Sequence, residues 1–549
     1  MSVCLEYFSY ILRGATNPMT TALILGSGPA AAGAALALSR SPDLTITVVD
    51  IGLRLEADRQ NAVDTLASAD PPQWDERLLQ SISAQPIESK IKGVPEKRSY
   101  GSNYPFRDVA QLQGITAANN VTKSVISAAY GGFSNVWGSQ LMPFTASVFD
   151  TWPVSASEIQ PHYEAILRQI PFAGQDDDLA HLFPLMGRPV PLPEMSVRAK
   201  WVLEAYARHR RALNSLGITM GKARLAFEAA RCVRCGLCMT GCPYGLIYSA
   251  SQTFDALRRS NRVTYHGGFM ALEVSEDADK AVVIAKELAT GRRQRFEADR
   301  IYVACGAMGT TRLVATSLGL FDVELSMGES QQFALPMLSV RATNDPRREA
   351  TFTLNQFNML VALDESGVDI SQLHFYTFNS AFIEALPSLL RTRSMEPASL
   401  QLLRRLSVVL GYLPSWRSPR LLVRVRRAAN REGVPELHLS RETPPPGRKQ
   451  MLRTVLTRLG RSSHLLDLYP MVPMLRLAAG GKSYHVGGSF PHTESGSTIR
   501  CTDRMGRVGP WRRVHLVDAS VFPNVPAMTF ALTIMANAHR IASEALELS

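Results

Sequence analysis

The sequence predicts an α/β fold, and three observations predict it. Residues 20–50 read as strand, turn, helix, strand: TALIL is a short apolar run, PAAAGAALAL an alanine-rich helix, and LTITVVD a β-branched run. Near the other end, VHLVDAS reads as a strand and ALTIMANAHRIASEALEL as a helix. Residues 330–480, between them, carry no nucleotide-binding pattern. Nucleotide-binding elements at both ends, with unrelated material between, describe a discontinuous Rossmann-like domain with an inserted α+β substrate-binding lobe.

In chain order, the first strand begins after Met19, and residues 1–18 read as an extension or a misassigned start. Residues 19–150 form the first part of the nucleotide-binding domain. They hold a polar, proline-dotted stretch at 51–110 and a glycine-rich loop, YGGFSNVWG, at Tyr130–Gly138. Residues 151–225 form a helical and linker part of the inserted lobe, with ASEIQPHYEAILRQI helical and prolines at 184, 189, 191 and 193 marking the linker. A cysteine-rich loop spans 226–250. Residues 251–325 return to the first domain, with strands over 262–303 ending in RIYVACG and a helix TTRLVATSLG. The substrate lobe spans 326–480, and 481–549 close the nucleotide-binding domain.

A chain of 549 residues is too long for one compact core. No run of 18 or more apolar residues reads as a transmembrane helix, and the N-terminal stretch lacks the basic region and cleavage site of a signal peptide. The expected location is cytoplasmic, with peripheral membrane contact as a further expectation. Formal net charge is +11, unevenly spread. Residues 391–431 hold ten arginines and one acid, Glu396, interleaved with Leu, Val, Tyr and Trp. A solvated face is the plain reading. A membrane-surface or acidic-substrate patch is the alternative. No recognition motif accompanies the charge, so nucleic acid is not an expected partner.

The N-terminal turn is GSGPAA, Gly26, Ser27, Gly28, Pro29, Ala30 and Ala31, which matches G-x-G-x-x-G/A with alanine last. Gly26 permits the tight turn, Gly28 lets the backbone approach a pyrophosphate, Ala31 allows close strand–helix packing, and Gly33 adds room nearby. Asp50 ends the second strand, where a carboxylate accepts hydrogen bonds from a ribose. This motif alone does not separate NAD from FAD.

The C-terminal part does. SYHVGGSFPH, followed by VDASVFPNVPAMTFALTIMANAHRIA, resembles the closing signature of the glucose–methanol–choline (GMC) oxidoreductases, which use FAD. The resemblance implies that Asp518 and Ala519 lie along the flavin. It also implies that the backbone around Thr529, Phe530 and Ala531 aims a helix N-terminus at the ring, where it stabilises the anionic reduced flavin. GGFSNVWG resembles the family's flavin-contacting glycine loop, nearest in form to the branch that includes pyranose oxidase, and implies contacts from Gly132, Ser134, Asn135, Val136, Trp137 and Gly138. Where that branch places a flavin-linked histidine this chain has Val136, so the FAD is expected to be non-covalent.

Flavin oxidation of an alcohol needs a base for the hydroxyl proton and a path for hydride to flavin N5. His485, in SYHVGG, matches the family's catalytic histidine. The second catalytic position, normally Asn or His, falls on Thr529, which can hydrogen-bond a substrate oxygen but is a poor base. His492 is the other candidate for that second role. His539 lies more than two turns into the last helix and reads as structural or as a contact within the flavin domain.

Of seven cysteines, four crowd into CVRCGLCMTGCP: Cys232, Cys235, Cys238 and Cys242. The C-x2-C-x2-C-x3-C-P spacing is that of bacterial ferredoxin loops and points to an iron–sulfur cluster. Structural or disulfide-bonded cysteines and a zinc site are the other readings. CMTGCPYGLIYS also resembles the cysteine region of iron–sulfur-containing sugar dehydrogenase subunits, with Cys232, Cys238 and Cys242 on matching positions and Cys235 extra. The expected function is an FAD-dependent dehydrogenase acting on the CH–OH group of an alcohol, sugar, sterol or lipid-linked substrate. A one-electron acceptor protein or a quinone would take the electrons. An oxygen-using alcohol oxidase and a flavin-bound electron-transfer subunit are the alternatives.

Overall fold

The computed structural model describes residues 19–83, 98–365, 367–428 and 433–548. Cys4 and Arg431 fall outside them. A five-stranded parallel sheet runs in the order Val514–Leu516, Arg300–Val303, Thr21–Leu25, Thr45–Val49, Thr264–His266. Its central strand is buried on both faces, which is why TALIL reads as a continuous apolar run rather than an alternation. The strands come from separated stretches of chain, so the Rossmann-like domain is discontinuous, as the sequence predicts.

The helix Pro29–Leu38 starts on proline, whose fixed φ and missing N–H suit a first helical position. It packs against the terminal helix Ala531–Glu547. Gly33 sits at that crossing: a Cβ there would stand 2.2 Å from the carbonyl oxygen of Met535. The room this glycine leaves is therefore used by the neighbouring helix, not by a nucleotide.

A second sheet runs Val486–Gly487, Glu324–Glu329, Leu421–Arg426, Glu436–Arg441, Ile115–Ala117. Leu421, Val423, Val425, Leu437 and Leu439 share one core with the parallel sheet. The segment 326–480 is thus not a clean insertion, because 421–441 returns to the first core. The helix Ala156–Leu167, expected in the inserted lobe, also joins that core, and its Tyr163 hydroxyl lies 2.8 Å from Thr533 of the terminal helix.

The third sheet is antiparallel and seven-stranded, running Tyr469–Pro470, Gln331–Leu338, Leu406–Leu413, Ile370–Tyr376, Phe357–Ala362, Ile218–Lys222, with Arg476–Leu477 also paired to Gln331–Leu338. Successive strand side chains point to opposite faces. Phe333, Leu335, Leu373, Phe375, Val409 and Leu413 therefore join one apolar core, to which the helices Val197–Ser215 and Gly447–Leu466 also contribute. Gln332, His374, Tyr376, Leu410 and Tyr412 occupy the alternate positions and face inward as the roof of a cavity.

The arginine-rich stretch is not one face. It crosses the helix Glu396–Leu403, the strand Leu406–Leu413 of the third sheet and the strand Leu421–Arg426 of the second. Arg424 pairs with Glu324 at 2.8 Å, Arg426 with Asp322 at 3.8 Å, and Arg404 bonds the Thr343 carbonyl at 2.6 Å. Among the described residues no helix is long and apolar enough to cross a membrane.

Candidate active site

A cavity of about 330 Å³ lies between the parallel sheet and the roof of the third sheet. Every cofactor-binding position expected from the sequence lines it except Ala31 and Asn135. Ala31 is fully buried in the helix–sheet core, where its small side chain permits packing and no ligand contact. Asn135 turns its amide inward to the carbonyls of Tyr130 and Gly132, at 3.0 and 2.8 Å, and so shapes the glycine loop.

Three helices begin at the cavity wall: Pro29–Leu38, Ala307–Ser317 and Ala531–Glu547. None has a side-chain N-cap hydrogen bond among the described residues, and none carries an acid in its first turn. The helix dipoles, with no N-cap side chain or first-turn acid to offset them, make the cavity attractive to anions. Backbone comes close at two glycine loops. Gly26 has φ +101°, and a Cβ there would sit 2.5 Å from the Ala304 carbonyl oxygen. A Cβ on Gly132, at φ +59°, would sit 3.0 Å from the Gly28 Cα. Ser27 ties the loops together: its hydroxyl accepts the Gly131 N–H at 3.0 Å and donates to Asp50. Asp50 also accepts the Tyr265 hydroxyl at 3.0 Å, and burial pushes its carboxyl up to about 6. Asp518 is buried against Thr310 and the Ser520 N–H, and burial raises its pKa too. These residues fit a dinucleotide: uncapped helix ends for phosphates, a carboxylate at the end of the second strand, and glycines where side chains would fill the cradle.

At the other end of the cavity stands His485. Its ring stacks on Tyr412, with centroids 4.6 Å apart and planes 9° apart, and touches Phe530 at 4.5 Å. Its carbonyl accepts the Ser330 N–H at 2.9 Å, and its own N–H donates to the Ser483 hydroxyl at 3.2 Å. Glu329, fully buried, accepts the Gly481 N–H at 2.9 Å and the Ser483 hydroxyl at 3.1 Å, so it anchors the segment that carries His485. Burial pushes Glu329 up to about 7, opposed by the Arg441 guanidinium 3.3 Å away. The Nδ1 of His485 and the Oγ1 of Thr529 are both buried with no hydrogen-bond partner among the described residues. Burial holds the His485 imidazole down to about 3, so it is neutral at physiological pH and can accept a proton. Thr529 is placed by its backbone, which donates to Gln372 at 3.0 Å.

His492 does not reach the cavity, which corrects its candidacy for the second catalytic role. Its Nδ1 is engaged by the Asp503 carbonyl at 2.7 Å and the Thr502 hydroxyl at 2.9 Å, and its Nε2 lies 3.3 Å from Asn537. Both ring nitrogens are used inside the fold. His539 is likewise internal, its Nδ1 2.8 Å from that of His162. Among the cavity residues that the motifs do not reveal are Cys305 and His374. Burial and then Asp518 push the Cys305 thiol up to about 12. His374 lies on the strand Ile370–Tyr376, where Gln372, His374 and Tyr376 alternate with Leu373 and Phe375. Polar groups spaced by two and alternating with Leu373 and Phe375 in a fully buried strand are the signal that points to it.

The cysteine loop adjoins the same cavity, whose lining includes Met239. Cys232 accepts the Arg234 N–H at 3.3 Å and Cys238 the Thr353 N–H at 3.4 Å. Cys238 is buried and the other three are partly buried, and all four are free thiols. Burial, reinforced by the neighbouring thiols, pushes Cys232 up to about 11 and Cys235 to about 12. Among the described residues no three or more His, Cys, Asp and Glu side chains converge as a metal-ligand set. The loop places its sulfurs near one another without closing them into a site.

No protein-family model and no curated protein matches the sequence. Solved structures do match its fold. Pyridoxine 4-oxidase from Mesorbium loti is 13% identical, with a TM-score of 0.58 over 95% of this chain and 98% of that one. Two mutant forms of the formate oxidase of Aspergillus oryzae, described for FAD modification, are 13% and 12% identical, with TM-scores of 0.58 and 0.57 over 97% of this chain and 99% of theirs. At such identities the likeness is one of fold, and end to end this chain has the fold of these two oxidases.

Proposed function

We propose that the chain is an FAD-dependent oxidoreductase of GMC type that oxidises a CH–OH group. The observation that carries this reading is one cavity holding, at one end, the glycine loops and the uncapped helix start at Pro29 and, at the other, His485 with its unpartnered Nδ1, beside the uncapped start of the terminal helix. The fold shared with a formate oxidase described for its FAD supports it. Gly26, Ser27, Gly28, Asp50, Gly132 and Asp518 would hold the dinucleotide. When bound, FAD supplies a two-electron hydride acceptor. His485 takes the hydroxyl proton at Nδ1, Tyr412 and Phe530 keep its ring in place, and Thr529 Oγ1 hydrogen-bonds the substrate oxygen.

Purified protein, kept without oxygen, is expected to bleach its flavin with at least one member of a panel of simple alcohols, sugars and sterols. No bleaching across the panel overturns the reading. It also overturns the choice over an electron-transfer subunit, which has no use for an unpartnered buried imidazole. Dyes but not oxygen reoxidising the flavin identify a dehydrogenase, which we favour because of the cysteine loop. Rapid reoxidation by oxygen identifies an oxidase, the reading that the names of the matched structures favour. Val136 lines the cavity and has no nucleophilic atom, so acid or heat is expected to release free FAD into the supernatant. Flavin that precipitates with the chain would overturn that expectation.

We further propose that Cys232, Cys238 and Cys242, with Cys235 as a fourth ligand, hold an iron–sulfur cluster beside the cavity. What supports this is four thiols in one short loop, two of them accepting backbone N–H bonds, with Met239 of that loop at the cavity wall. The thiols must draw together to bind it. Anaerobically prepared protein is expected to contain iron and acid-labile sulfide. Full FAD without iron, after expression with iron supplied, refutes the cluster and leaves the flavin reading intact. For membrane contact we propose the turns around Ser388–Met395, and what supports this is Leu389, exposed beside Arg391 and Arg393.

A further inference from the structure

The seven-stranded sheet brings a second histidine to the cavity, from a part of the chain where no motif marks it. His374 is 3% exposed, and its Nε2 is buried with no hydrogen-bond partner among the described residues. Leaving such an atom unpaired costs about 1–3 kcal/mol, a cost that a polar ligand atom in the cavity would offset. His374 lines the cavity that holds His485. Tyr412 joins the two: its ring meets His374 edge-on at 5.3 Å and stacks on His485 at 4.6 Å. The same strand also grips the segment ahead of the terminal helix. The Gln372 N–H donates to the Ala527 carbonyl at 2.9 Å, and its side chain accepts the Thr529 N–H at 3.0 Å. His374, Thr529 and His485 are therefore held to one another through the strand Ile370–Tyr376 and the Tyr412 ring. Their unpartnered atoms are Nε2, Oγ1 and Nδ1.

We propose that His374 donates a hydrogen bond from Nε2 to the reacting oxygen of the substrate, opposite the Nδ1 of His485 that accepts its proton. This rests on the CH–OH reading given above. The two histidines have complementary needs. A hydroxyl oxygen that gives its proton to one imidazole gains negative charge and is stabilised by an N–H donor from the other. Burial, and then the neighbouring His485, hold His374 down to about 3, so it stays neutral and does not repel the imidazolium that forms at His485. Thr529 departs from the Asn or His that the GMC resemblance implies at the second position. His374 supplies the nitrogen donor that Thr529 lacks, from the roof of the cavity. It is a catalytic residue in the strict sense, because it touches the substrate oxygen.

Two substitutions separate a donor from a structural side chain. His374→Leu keeps bulk and removes the donor. His374→Gln keeps an N–H near the Nε2 position. With FAD content and thermal midpoint as controls for folding, anaerobic flavin reduction by the best alcohol of the panel is expected to slow about 100-fold in His374→Leu, and tenfold or less in His374→Gln. A structural role predicts equal losses in both variants, and that result overturns the proposal, as does an unimpaired His374→Leu. The second arm needs no turnover: trifluoroethanol, as an inert alcohol, is titrated against the flavin absorbance of each protein. Its affinity is expected to fall about tenfold in His374→Leu and to hold in His374→Gln. Equal affinity for wild type and His374→Leu, or no binding to either, overturns the proposal. If no alcohol bleaches the wild-type flavin, the CH–OH reading fails by itself, and the trifluoroethanol arm still decides the role of His374.

Discussion

Replacement of His485 by alanine is expected to leave FAD bound and to slow anaerobic flavin reduction by about a hundred- to ten-thousand-fold, the range of a lost general base. The substitution removes an imidazole whose Nδ1 has no partner among the described residues, on the segment anchored by Glu329, and leaves the glycine loops and the helix start at Pro29, at the far end of the cavity, untouched. Thr529→Ala removes a hydrogen bond rather than a base, and its loss is expected to be smaller. The pH profile carries a second signature. An unperturbed histidine loses its basic form below about pH 6.5. His485 is held down to about 3 by burial, so its proton-accepting form persists as the pH falls. The wild-type reduction rate is therefore expected to stay level from about pH 8 to pH 5, where a solvent-exposed histidine would already have lost most of its activity. Stopped-flow absorbance measures both. A near-normal rate in His485→Ala removes the residue from the chemistry. An acid limb centred near 6.5 shows instead that the ring is not buried when substrate reacts.

Gly33→Ala is expected to lower the thermal midpoint and the FAD content together. Helix propensity alone predicts the reverse, since alanine in a helix interior is favoured over glycine by about 1 kcal/mol. Packing decides otherwise. The added Cβ would lie 2.2 Å from the Met535 carbonyl oxygen, on the backbone of the terminal helix, where no side chain can rotate away. Overpacking of this kind costs about 1–3 kcal/mol or more, which outweighs the propensity gain. The two helices forced apart are those that begin at Pro29 and Ala531, both at the cavity, so their separation moves the N–H groups offered to the dinucleotide. Scanning calorimetry and the flavin-to-protein absorbance ratio measure the two effects. A raised midpoint with full FAD would show that the crossing opens at little cost.

The parts of this protein that short stretches of sequence determine are those whose geometry is local. A glycine turn between a strand and a helix, an acid ending the next strand, a second glycine loop and a histidine before paired glycines each carry their own backbone requirement. Gly26, Gly28, Asp50, Gly132, His485 and Asp518 accordingly meet at one cavity. Tertiary structure decided what depends on register and on which distant elements pack together. Asn135 sits within a motif, yet its amide is spent on its own loop. His492, seven residues after His485, is turned into the domain and has both ring nitrogens bonded there. Leu421–Arg426 and Glu436–Arg441 read as part of an inserted lobe, but their apolar faces complete the first core. His374 reads as one polar residue in a buried strand until the pairing His374↔Leu410 places it in the roof. A strand shows two faces with equal readiness, and a shift of one residue exchanges them. Only the packing of the helices Val197–Ser215 and Gly447–Leu466 over the Leu373 and Phe375 face turned His374 and Tyr376 toward the cavity.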